Sequence, residues 1–172
     1  GHVYRTTDGG GTWQVVLSAS GTGFSGVCFT DAMHGCVSRN DGVILRTTDG
    51  GDNWTQATIN LPPPFLLTAI AGTPNGALYA SGYRVDNSGA IILASVDGGA
   101  SWQVNHYAST GVGRRINNIH FLNDQVGYAP AWTCVWRTGN GGNLTTAIPD
   151  AEANAHAVLY PNPSMDLVTL EV

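Results

Sequence analysis

The segment Thr6-Thr7-Asp8-Gly9-Gly10-Gly11-Thr12-Trp13 returns as Thr47-Thr48-Asp49-Gly50-Gly51-Asp52-Asn53-Trp54 and again as Ser95-Val96-Asp97-Gly98-Gly99-Ala100-Ser101-Trp102. A worn fourth copy stands at Thr138-Gly139-Asn140-Gly141-Gly142. Asp49 follows Asp8 by 41 residues, Asp97 follows Asp49 by 48, and Asn140 follows Asp97 by 43. Intervals of that size are the period of four-stranded propeller blades. The chemistry of the octet fits a tight hairpin. The Gly pair supplies positive φ without a Cβ clash, and the Asp carboxylate and Ser/Thr hydroxyl accept or donate local bonds within the turn. The closing Trp opens the next strand.

The similarity reaches upstream of each octet, so the repeat is a structural unit. Gly1-His2-Val3-Tyr4-Arg5-Thr6 aligns with Gly42-Val43-Ile44-Leu45-Arg46-Thr47, and more loosely with 90–95 and 133–138. Earlier still, Phe29-Thr30-Asp31-Ala32-Met33-His34-Gly35 echoes Phe121-Leu122-Asn123-Asp124-Gln125-Val126-Gly127. One whole repeat reads as four short strands near 26–29, 35–38, 43–47 and 54–59, each bounded by Gly, Asp or Asn. The expected fold is therefore all-β: a partial propeller of about four four-stranded antiparallel blades over 1–147, then a linker at 148–158 and a strand-bearing tail at 159–172.

Composition agrees and closes off several function classes. The chain has 172 residues, 42% of them apolar, with 23 Gly and 8 Pro. That is enough apolar material for a core, and the Gly and Pro content favours turns and strands over helices. The net charge is −5, with seven Arg and no Lys, so no basic stripe exists to meet a nucleic acid. No apolar run approaches the roughly 20 residues of a transmembrane segment. The five His are scattered without ligand spacing, so neither a metal nor a cofactor is expected.

The pattern Ser/Thr-x-Asp-x-Gly-x-x-Trp resembles the Asp-box, or bacterial neuraminidase repeat. The longer Phe-x-Asp…Gly…Thr-x-Asp-Gly-Gly-x-x-Trp pattern is similar to the propellers related to photosystem II assembly factors. The resemblance implies that Thr6, Asp8, Gly10, Trp13, Thr47, Asp49, Gly51, Trp54, Ser95, Asp97, Gly99 and Trp102 are structural and peripheral. It assigns them no catalysis. Within the tail, Tyr160-Pro161-Asn162-Pro163-Ser164-Met165-Asp166 followed by alternating aliphatics resembles the start of the type A C-terminal sorting domain of the Bacteroidetes type IX secretion system. That resemblance implies delivery by the type IX machinery to the cell surface or the medium. With the first residue falling inside a blade's third strand and the last inside a sorting domain, the sequence is expected to be a fragment of a longer protein.

An Asp-box sialidase needs three Arg, a Tyr–Glu pair and an acidic acid/base. Arg5, Arg46 and Arg137 recur at one repeat position and read as structural, leaving Arg39, Arg84, Arg114 and Arg115. The two Glu, Glu152 and Glu171, fall in or beyond the linker. Paired carboxylates such as Asp86 and Asp124 read as turn residues, and Asp31 and Asp124 as turn caps. The expectation is thus a binding or scaffolding module with a glycan or protein partner and no catalytic residues. The alternative is a piece of an exported glycoside hydrolase whose catalytic groups lie elsewhere. Tyr83-Arg84-Val85-Asp86-Asn87-Ser88, in the longest repeat, is the best candidate for a specialised loop. Pro62-Pro63-Pro64-Phe65 reads as an extended crossover. Cys28 and Cys36 fall opposite one another if the first hairpin turns at Ala32, giving either a disulfide or two small buried thiols.

Overall fold

The computed structural model describes residues 1–60, 64–86, 88–108, 115–132 and 134–141, together with two short strands at 158–159 and 168–169. Among these there is no helix. The strands are β1 (His2–Arg5) and β2 (Gln14–Ser18), then β3 (Phe24–Phe29), β4 (Gly35–Arg39), β5 (Ile44–Thr47) and β6 (Thr55–Gln56). After β7 (Thr58–Ile59) come β8 (Phe65–Gly72), β9 (Leu78–Arg84), β10 (Ala90–Ser95) and β11 (Ser101–Ala108). The series ends with β12 (His120–Phe121), β13 (Gly127–Pro130), β14 (Val135–Thr138) and a small antiparallel pair, β15 (Val158–Leu159) with β16 (Val168–Thr169).

Each repeat forms one antiparallel meander, and the meanders stack as blades of a partial β-propeller. Blade 2 is β3-β4-β5-β6, blade 3 is β8-β9-β10-β11, blade 4 shows β12-β13-β14, and blade 1 shows the outer pair β1-β2. The fourth strand of blade 2 is shorter than the sequence suggests. It breaks at Ala57, and β7 then crosses to pair in parallel with the outer strand β11 of blade 3. Thr58 and Asn60 donate to the carbonyls of Ala100 and Trp102 at 3.0 and 3.1 Å. The crossing covers Trp102, which is fully buried, whereas Trp13 in the two-stranded first blade is 60% exposed.

The core lies between blades. Cys36, Ile44 and Ala57 of blade 2 meet Phe65, Leu67, Ile70, Leu78 and Trp102 of blade 3. Ala69, Tyr79 and Ala94 of blade 3 meet Ile116, Ile119, Phe121 and Ala129 of blade 4. One strand can serve both seams because side chains alternate across a sheet. In β8 that alternation is shifted by a bulge between Leu67 and Ala69, so Phe65 and Leu67 share a seam with Ile70 and not with Ala69. The bulged Thr68 donates to the Ile116 carbonyl of blade 4 at 2.7 Å and lies 3.2 Å from the Ser81 hydroxyl. β3 has the same bulge between Phe24 and Gly26, with Ser25 3.0 Å from the Ser38 hydroxyl.

The recurring Phe and Gly also find a cause. Phe29 opposes Gly35, and Phe121 opposes Gly127. In each pair the ring lies where a Cβ on the glycine would sit, 2.7 and 2.6 Å from the nearest ring carbon. Blade 3 reverses the pair, opposing Gly72 with Leu78.

Candidate functional site

Antiparallel meanders place alternate turns at opposite ends of the blades. At one end are the octet hairpins, which divide their bonding in the same way three times. The Ser/Thr hydroxyl donates to the Asp carboxylate at 2.7–2.8 Å and accepts from the second glycine amide at 2.9 Å, as Thr6, Thr47 and Ser95 do with Gly10, Gly51 and Gly99. Each Asp in turn accepts the backbone amide and side chain of the residue before Trp: Thr12, Asn53 or Ser101. These donors hold Asp8 and Asp49 down to about 2, chiefly through the Thr12 and Asn53 backbone amides. Asp97 is also held at about 2: its partial burial pushes upward, and the Ser101 hydroxyl and amide with the Ser95 hydroxyl outweigh it. The Trp54 and Trp102 indoles donate to the Gly51 and Gly99 carbonyls at 3.0 and 3.1 Å. In all three turns the Ser/Thr hydroxyl and the Asp carboxylate are thus engaged within their own hairpin.

The other end carries different chemistry. Arg39 and Asp41 flank the turn between β4 and β5, with Nε donating at 3.1 Å. Arg84 and Asp86 stand at the matching turn of blade 3, 3.6 Å apart, and Asp86 caps the turn by accepting from the Ser88 amide at 2.9 Å. Neighbouring turns are tied together. Asn40 donates to the Gly23 carbonyl and Val85 to that of Pro64, while Trp132 donates to that of Arg115. The Arg115 guanidinium lies 4.4 Å above the Tyr83 ring, bridging blades 3 and 4. Trp132 is 75% exposed, the largest apolar side chain left open at this end. On the rim opposite the octets the Arg115 guanidinium thus covers the buried Tyr83 ring, and the exposed Trp132 is tied by its amide to the Arg115 carbonyl. An exposed indole beside a cation resting on a ring suits a planar or carboxylate-bearing group.

The Arg-x-Asp pair at Arg39 and Asp41 repeats at Arg84 and Asp86. Trp132 stands where Asn40 and Val85 stand in their blades, and no residue type recurs there to mark it. Cys28 and Cys36 oppose one another in register as free thiols, and Cys134 is also free. Asp31 caps its turn, accepting from the Met33 and His34 amides. For Asp124 the expectation is corrected. Asn123 is the residue that caps that turn, accepting from Gln125 and Val126, while Asp124 reaches across to the Asn75 amide of blade 3 at 2.8 Å. Arg5 donates to the Gly50 carbonyl of the next blade, and Arg137 is exposed. Among the described residues no group of three or more His, Cys, Asp or Glu is placed to hold a metal, and no helix is long and apolar enough to cross a membrane. Arg114, Asn87, Pro62, Pro63, Glu152 and Glu171, and the sorting-signal residues Tyr160, Pro161, Asn162, Pro163, Ser164 and Asp166, lie outside the described residues.

No family model matches the chain. Over 76 residues it is 32% identical to the photosystem II assembly lipoprotein Ycf48 of Synechococcus sp. (strain CC9902), a match covering 42% of this chain and 20% of that protein. The chain therefore spans about a fifth of the length of the curated relative. Among solved structures it is similar to YCF48 bound to D1 peptide, with TM-score 0.60 and 21% identity over 71% of this chain and 39% of that one. It is also similar to YCF48 from Cyanidioschyzon merolae, with TM-score 0.58 and 19% identity over 74% of this chain and 37% of that one. A GH74 xyloglucanase from Xanthomonas campestris gives TM-score 0.63 and 18% identity over 76% of this chain and 22% of that one. At such identities the likeness is one of fold, and the fold is a β-propeller.

Proposed function

We propose that this chain is part of a non-catalytic propeller that binds a protein or glycan partner on the rim carrying Tyr83, Arg115 and Trp132. The supporting observation is the separation of the two ends: the octet hairpins engage their Ser/Thr hydroxyls and the carboxylates of Asp8, Asp49 and Asp97 within the turn, while the opposite rim keeps an exposed indole and a stacked guanidinium. A protein partner is favoured, because one solved propeller of similar fold holds a peptide. The octets are Asp-boxes in this reading, serving as architecture. The tail starting at Tyr160 addresses the parent protein to the type IX machinery and hence to the cell surface or the medium.

The rim assignment is tested by probing peptide and glycan arrays with the chain and with an Arg115→Ala/Trp132→Ala variant. The expected result is a set of peptide ligands weakened about tenfold or more in the variant, about 1.4 kcal/mol, at unchanged melting temperature. Undiminished binding by the variant would contradict it. For export, a parent lacking everything from Tyr160 onward is expected to stay in the periplasm, and normal surface delivery would refute that part.

A second reading, a piece of an exported glycoside hydrolase, draws on the fold shared with the GH74 enzyme. Against it, the carboxylates of Asp41 and Asp86 on the candidate rim are tied to Arg39 and Arg84. Release of reducing sugar from xyloglucan or sialylated glycans by the chain would favour this reading over the first.

A further inference from the structure

The pair Cys28 and Cys36 has counterparts in the other blades. The same register position is occupied by Ala71 and Tyr79 in blade 3 and by His120 and Tyr128 in blade 4. Only in blade 2, among the described blades, does it bring two thiols together. Directly opposed residues of an antiparallel pair project to the same face. The Thr30 amide donates to the His34 carbonyl two residues further along each strand. Cys28 and Cys36 are therefore a hydrogen-bonded pair, whose Cα atoms stand about 5.5 Å apart. That separation lies within the range that a disulfide spans without moving the backbone.

The surroundings converge on the same point. Both sulfurs point into the seam with blade 3: a Cβ added to Gly72 would lie 3.1 Å from the Cys28 Sγ, and one added to Gly99 would overlap the Cys36 Sγ. The same two imagined atoms lie 3.4 Å from the two terminal carbons of Leu78. Thus each sulfur occupies room left by a blade 3 glycine, and both glycines border Leu78. Burial pushes the buried Cys36 thiol up to about 12 and also raises the half-buried Cys28, so the pair is less reactive once blade 3 packs against it. Oxidation then belongs to folding, while the hairpin is still accessible.

We propose that Cys28 and Cys36 form an intramolecular disulfide when the chain folds in an oxidising environment, stapling the inner hairpin of blade 2 at its seam with blade 3. The two thiols lose two protons and two electrons to one external disulfide, such as oxidised glutathione. Its S–S bond breaks and it leaves as two thiols while the Cys28–Cys36 bond forms. Cys134, on β14's approach in blade 4, stays reduced.

The chain is unfolded, refolded in a mixture of oxidised and reduced glutathione, alkylated and digested with trypsin. Both cysteines fall in the single peptide Thr6–Arg39, and Cys134 falls in Ile116–Arg137. The expected result is a Thr6–Arg39 peptide lighter by two hydrogen atoms and resistant to alkylation, with Cys134 in its own unlinked peptide. The refolded protein should also lose melting temperature on adding dithiothreitol, and a Cys28→Ser variant should not. A chain that regains its circular dichroism with both thiols of Thr6–Arg39 alkylated, or with either one linked to Cys134, would overturn the proposal.

Discussion

The guanidinium of Arg5 reaches out of blade 1 to the octet turn of blade 2, where it lies 2.7 Å from the Asp52 carboxylate and donates to the Gly50 carbonyl at 2.9 Å. The residue before the first octet thus fastens blade 1 to the hairpin of blade 2. Arg46 occupies the same position one blade on, with an Nη nitrogen 3.6 Å from where a Cβ on Gly98 would lie. The counterpart of Asp52 is there Ala100, and the buried Arg46 Nε has no hydrogen-bond partner. Ala100→Asp is therefore expected to stabilise the chain by roughly 0.2–1 kcal/mol, the size of a surface ion pair. Thermal melts check it, and the gain should vanish in an Arg46→Gln background.

Thr47 is the most enclosed of the octet hydroxyl residues, at 1% exposure. Its Oγ1 accepts from the Gly51 amide, which is buried with it. Thr47→Val keeps the shape and removes the acceptor, so it should cost about 1–3 kcal/mol through an unsatisfied buried donor. Urea denaturation reads the loss directly. The equivalent Thr6→Val, in an exposed turn where water replaces the hydroxyl, should cost much less.

Acid should unfold the protein through the same turns. A carboxyl whose proton affinity is lower in the folded state contributes stability above its ordinary value of 3.8 and loses it as pH falls toward the folded value, here about 2. The melting temperature is expected to be level above about pH 5 and to fall between about pH 4 and pH 2. An Asp8→Asn/Asp49→Asn/Asp97→Asn variant should show a shallower fall. The fourth repeat already carries the amide: Asn140 accepts from the Thr138 hydroxyl at 2.8 Å.

The Phe–Gly pairs make a steric prediction. A methyl on Gly127 would lie 2.6 Å from the Phe121 ring, which stacks on Tyr79 of blade 3 at 4.4 Å and has little freedom to move. Gly127→Ala should therefore cost about 1–3 kcal/mol by overpacking. Chemical denaturation measures it, and Phe121→Leu in the same chain should recover part of the loss.

The sequence made legible what is local and repeated. The octets, their spacing and the opposition of Cys28 to Cys36 all follow from short-range turn chemistry and hairpin symmetry. The bulges at Ser25 and Thr68 were hidden, because an extra residue breaks the period of two that marks a strand. Blade 3 concealed its own repeat by exchanging the large and small partners at Gly72 and Leu78. The bonds of Arg5 to Gly50, of Asp124 to Asn75 and of Tyr79 to the Gly141 carbonyl join residues 45 to 62 positions apart. No local pattern announces such contacts. The Tyr83–Arg115 stack and the Trp132 bond to the Arg115 carbonyl are of the same kind, joining a strand of blade 3 to two loop segments of blade 4.

The most direct test of the account is amide hydrogen exchange at Gly51 and Gly99, whose N–H groups donate to Thr47 and Ser95 at 2.9 Å. If the octets are architecture, both amides should exchange only with global unfolding, and a ligand bound on the opposite rim should leave their relative protection unchanged. Exchange at the free-chain rate, or protection that arises only when ligand is added, would contradict it.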